Sequence, residues 1–178
     1  TPPKDGVGRG DTDQAFQLNY LHGRTMMVAE DNPLNQKLLK KVLESWEATV
    51  LIAEHGQKAL DLLLSNTVDL ILIDLQMPIM DGFELAQQIR SGASSANPQT
   101  PLVALTANAT QHYEEQAQAL GFNAFLTKPF DHEELLALLN QILEKKKSQA
   151  TTQTQPKTQT PAPPDNQPTR YEHLSNIS

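Results

Sequence analysis

A short apolar run, Leu70-Ile71-Leu72-Ile73, ends on a carboxylate, Asp74, and the chain then breaks at Met77-Pro78 and Asp81-Gly82. A run this apolar between turn signals reads as a strand buried on both faces, although periodicity alone does not separate it from a buried helix. In an open parallel sheet, ligands bind beyond the carboxyl ends of the strands. Asp74 therefore stands where such a fold puts its chemistry.

The same pattern repeats along the middle of the chain. Strands are expected at Thr25 to Ala29, Thr49 to Ala53, Asp69 to Asp74, Leu102 to Thr106 and Ala124 to Thr127. Each is followed by a helical pattern. Leu34, Leu38, Val42 and Trp46, widened by Leu39 and Leu43, recur at helical spacing, with Asn32 as cap and Pro33 at the first position. Further helices are expected over Gly56 to Leu64, over Phe83 to Arg90, and from Thr110 to a stop at Gly121. The last starts at Asp131, carries Leu135, Leu136, Leu138, Leu139 and Ile142, and ends in Lys145-Lys146-Lys147, where cations suit the helix dipole. Alternating strands and helices imply parallel strands joined by right-handed crossovers. The expected fold is a flavodoxin-like doubly wound (βα)5 sandwich with strand order 2-1-3-4-5.

Composition changes on either side of this zone. Residues 1–23 are rich in Gly, Asp and Pro and read as a linker. Residues 24–147 form the expected domain. Residues 148–178 are dominated by Gln, Thr and Pro and bury too little to offset their ordering entropy, so they read as a disordered linker. These flanks explain a mean hydropathy of -0.46 across the 178 residues. A net charge of -7 and a pI near 5.1 argue against a nucleic-acid surface. The absence of cysteine excludes disulfides and thiolate metal sites. No apolar run approaches the roughly 18 residues of a membrane span, so no direct membrane contact and a cytoplasmic location are expected. A start at Thr1 rather than Met suggests a piece cut from a longer protein, whose own membrane anchoring stays open.

Polar residues stand at the ends of four expected strands: Glu30 and Asp31, Asp74, Thr106, and Lys128. In a parallel sheet all lie on one edge. Three carboxylates brought together repel and call for a cation, and an all-oxygen set suits Mg²⁺. Lys128 adds a compact positive charge and Thr106 a hydroxyl donor. Such an edge would position a phosphoryl group, with Asp74 as the nucleophile of an aspartyl-phosphate. The five histidines share no metal-ligand spacing, and Met77-Pro78 and Asp81-Gly82 read as loop scaffolding.

These residues resemble the receiver domains of two-component response regulators. The matching features are Glu30-Asp31-Asn32, Asp74 within Ile73-Asp74-Leu75-Gln76-Met77-Pro78, Asp81-Gly82, Leu105-Thr106-Ala107 and Lys128-Pro129-Phe130. The resemblance implies that Asp74 accepts phosphate from a phosphohistidine. It implies that Asp31, Asp74 and the backbone carbonyl of Gln76 bind Mg²⁺, with Glu30 acting through water. Lys128 would pair with the phosphoryl group, Thr106 would move to bond it, and Phe125 would swing inward. Glu30 departs from the commoner Asp, and Phe125 from the Tyr also common there. The opening from Glu30 to Gln36 is similar to receivers of hybrid sensor histidine kinases. That implies a kinase phosphohistidine domain as donor and a histidine phosphotransfer domain as a further partner. The surface around Leu34 to Leu43 and Pro129-Phe130 would dock them. A stand-alone receiver is the alternative. Two other classes stay open. An aspartate-nucleophile phosphatase would want an acid where Gln76 stands. A flavin protein would want a Gly/Ser/Thr-rich loop in place of Glu30-Asp31-Asn32-Pro33.

Overall fold

The computed structural model describes residues 21–152; the flanking calls on residues 1–20 and 153–178 lie outside the described residues. Five strands, β1 (Thr25–Ala29), β2 (Thr49–Ala53), β3 (Leu70–Asp74), β4 (Leu102–Thr106) and β5 (Ala124–Thr127), alternate with five helices. The helices are α1 (Pro33–Ser45), α2 (Gly56–Leu63), α3 (Gly82–Arg90), α4 (Gln111–Ala119) and α5 (His132–Thr152). The strands form one parallel sheet in the order β2-β1-β3-β4-β5, as expected.

Alternation along each strand divides the core in two. Met27, Ala29, Ile71, Ile73 and Ala104 face one way, against Ala59 and Leu63 of α2, Leu85 and Ile89 of α3 and Ala117 of α4. Met26, Val28, Leu70, Leu72 and Val103 face the other, against Leu39, Val42 and Leu43 of α1 and Leu135 and Leu139 of α5. All five residues of β3 are buried, which is why its sequence is an unbroken apolar run rather than an alternation. Leu21, just before β1, is fully buried in the second cluster.

Local chemistry sets the element ends. Asn32 caps α1, its Oδ1 accepting the N–H groups of Leu34 (2.9 Å) and Asn35 (3.3 Å). Asp81 caps α3 in a reciprocal box with Glu84. Gly121, at φ 83°, ends α4 with the paired bonds Gly121 N–H to Gln118 and Phe122 N–H to Ala117.

Three expectations need correction. Asp69 is not part of β3; its backbone N–H bonds Thr25 O (2.7 Å), and its carboxylate accepts the N–H of Thr25 (2.8 Å). In α1 the buried stripe is Leu39, Val42, Leu43 and Trp46, while Leu34 and Leu38 are 73% and 52% exposed. That stripe has the i, i+3, i+4, i+7 spacing of one face, and Leu38 lies round the helix from it. Finally, α5 runs past Lys147 to Thr152, because no Pro or Gly stands between Lys147 and Pro156 to stop it. Among the described residues, no helix is long and apolar enough to cross a membrane.

Candidate functional site

The sheet brings the predicted residues to one edge. Glu30 follows β1 and keeps one ladder bond, its N–H donating to Ala53 O (3.0 Å). Asp74 closes β3 opposite Leu105, and Thr106 closes β4 opposite Thr127. Lys128 follows β5, its N–H donating to Thr106 O (2.7 Å). The loop after Asp74 is held close, since a Cβ on Gly82 would collide with the Asp74 carbonyl and come within 2.8 Å of Leu75 Cα. Only glycine fits there, which gives Asp81-Gly82 its expected scaffolding role.

The Lys128 ammonium donates to Glu30 Oε2 (2.7 Å) and Asp74 Oδ2 (3.1 Å). Burial pulls its pKa down, but the contacts with Glu30 and Asp74 outweigh burial and leave it raised. The remaining oxygens of this pair accept backbone N–H groups: Asn32 to Glu30 Oε1 (3.1 Å) and Gln76 to Asp74 Oδ1 (3.0 Å). Glu30 is fully buried and Asp74 nearly so. Asp31 is exposed, and no hydrogen bond or ion pair to its carboxylate is found among the described residues.

Glu30, Asp31 and Asp74 each offer a carboxylate oxygen, all within 4.8 Å of one another. With Lys128 as the one ammonium among them, two negative charges stay unbalanced, which matches a divalent cation. The donors are all oxygen, so the group fits a hard ion. Gln76, expected to contribute its carbonyl, lines with Asp31 a cleft of about 560 Å³ bounded also by Met77, Pro78, Phe83 and Tyr113.

Thr106 is fully buried, and its hydroxyl accepts the N–H of Asn108 (3.0 Å) and reaches the Asn108 carbonyl (3.2 Å). It is turned toward its own loop. Phe125 is half-buried against the α2–α4 side of the core. The pairing of Glu30 with Lys128, 98 residues apart, carried no signal in the sequence. Nor did the cleft wall from α4, where His112 and Tyr113 follow no recognisable motif.

The model of the response regulator receiver domain matches residues 26–140. The chain belongs to this receiver family. It is thus a receiver domain of two-component signalling, and its relatives include hybrid histidine kinases. The receiver is 36% identical over 115 residues to the signal transduction histidine-protein kinase BarA of Escherichia coli, covering 65% of this chain and 12% of BarA. It is 32% identical over 142 residues to probable histidine kinase 4 of rice (Oryza sativa subsp. japonica), covering 69% of this chain and 14% of the kinase. The chain thus matches only a small part of the kinases it resembles. Among solved structures, the receiver domain of sensor histidine kinase PA1611 from Pseudomonas aeruginosa is 33% identical, with a TM-score of 0.63. That match covers 68% of this chain and 98% of the other, which has a magnesium ion coordinated in its active site cleft.

Proposed function

We propose that the receiver accepts a phosphoryl group on Asp74 from a phosphohistidine and works as the receiver of a hybrid histidine kinase. The observation that carries this reading is the convergence of Lys128, Glu30, Asp31 and Asp74 on one sheet edge. A carboxylate oxygen of Asp74 attacks phosphorus, the P–N bond breaks, and the imidazole leaves. Gln76 N–H orients Asp74, and the Lys128 ammonium lies beside the attacking carboxylate, placed to pair with the oxygens of the arriving phosphoryl group. Asp31, Asp74 and the carbonyl of Gln76 would hold Mg²⁺, with Glu30 acting through water; when bound, the ion neutralises the crowded oxygens. After transfer, the Thr106 hydroxyl leaves Asn108 for the phosphoryl group, and Phe125 packs inward, shifting the population between two arrangements.

The phosphohistidine donor, and a histidine phosphotransfer domain that takes the group onward, would dock on Leu34 and Leu38 of α1 and on the exposed Pro129. A cytoplasmic location belongs to this reading. The test is labelling of the purified chain by acetyl phosphate with MgCl₂, followed by intact-mass spectrometry. The wild type gains one phosphoryl mass and Asp74→Asn gains none. Retained labelling in that variant would overturn the assignment.

A further inference from the structure

The carboxylate of Asp31 has no side-chain or backbone partner among the described residues, so its position depends on the peptide that carries it. β1 pairs with β2 only as far as Ala29 opposite Ala53, so the carbonyl of Glu30, on the β2 side like its N–H, lies beyond that ladder. Its partner is the side chain of Gln36, whose Nε2 donates to Glu30 O at 2.6 Å. Gln36 is half-buried in the first turn of α1, and its own N–H donates to Asn32 O (3.0 Å). One residue therefore bonds both sides of Asp31, the carbonyl before it and the carbonyl after it.

We propose that Gln36 is a positioning residue for divalent-cation binding, fixing the Glu30–Asp31 peptide so that Asp31 is aimed at Asp74. A helix-borne amide suits this task, since α1 is packed on the core through Leu39, Val42 and Leu43. Partners that orient a metal ligand commonly change affinity when removed, even though they never touch the ion. The inference rests on the proposed Mg²⁺ site.

Titration calorimetry of the full chain with MgCl₂, without phosphodonor, tests it. Gln36→Met keeps the length of the side chain and removes the donor. Its dissociation constant should rise roughly tenfold. Asn35→Ala, next to it in the same turn, should bind as the wild type does. Thermal unfolding in EDTA separates positioning from stability. Gln36→Met should melt within a few degrees of the wild type while binding Mg²⁺ more weakly. Unchanged affinity in Gln36→Met overturns the proposal, as does an equal loss in Asn35→Ala. If the wild type itself takes up no Mg²⁺, the metal site fails and the positioning role fails with it.

Discussion

At Lys128 two effects on one ammonium oppose each other. Burial disfavours its charge, and the Glu30 and Asp74 carboxylates favour it, with the balance toward a raised pKa. A raised value means that the folded state holds the proton more tightly than the unfolded chain. The stabilisation is then complete below the ordinary value of 10.5 and is lost as pH climbs through the raised one. Replacing Lys128 with Met leaves buried Glu30 and Asp74 facing each other without their cation. Breaking a buried pair in this way costs about 3 kcal/mol. Urea unfolding in EDTA at pH 7 should show that loss, and the gap between wild type and Lys128→Met should narrow above pH 10.5. A gap that stays constant into the alkaline range would show that Lys128 contributes packing rather than charge. The identities of Asp74, Asp31 and Lys128 were legible because each follows an apolar run at a turn. The direct contact of Glu30 with Lys128 was not, because it depends on how β1 and β5 are placed across the sheet.

Among the elements, the strands were readable for a physical reason: short runs buried on both faces leave little room for polar residues. Helix ends were readable only where the usual residue supplies the geometry. Gly121 announces the end of α4, but α1 ends with the same pattern of bonds around Glu47, at φ 64°. There Glu47 N–H bonds Glu44 O (2.9 Å) and Ala48 N–H bonds Leu43 O (3.2 Å). A residue with a Cβ is strained in that conformation by roughly 1–2 kcal/mol, and glycine returns part of the gain as chain entropy. Glu47→Gly also removes the exposed contact with His22, which contributes little. The variant should therefore be more stable by roughly 0.5–1 kcal/mol. Differential scanning calorimetry would register a higher midpoint with phosphate uptake unchanged. A lower midpoint would mean that the Glu47 side chain matters more than its backbone. α1 also shows where periodicity misleads: its first leucines fit the helical spacing yet face outward, because the face is set by the later ones that meet the sheet.

For the molecule as a whole, the strand order gathers charge at one edge. Crossovers bring residues from the ends of β1, β3 and β5 together, and three carboxylates meet within 4.8 Å. Like charges that close oppose folding, and Lys128 offsets only part of the repulsion. A divalent ion bound by the folded state alone should raise stability by mass action, about 2.7 kcal/mol at a concentration one hundred times its dissociation constant. Sodium chloride at matched ionic strength should do less, since partly buried charges are screened weakly. Asp31→Asn removes one repelling carboxylate and one proposed ligand together. In EDTA it should melt at or above the wild-type midpoint, and with MgCl₂ it should gain much less than the wild type. The pair of measurements separates two causes. A wild-type midpoint no higher in MgCl₂ than in sodium chloride would mean that the acidic edge does not bind the ion. An Asp31→Asn midpoint well below the wild type in EDTA would mean that Asp31 stabilises the fold by itself. The expected crossing, in which the variant leads without the ion and the wild type leads with it, requires a site that gives up stability to hold a cation.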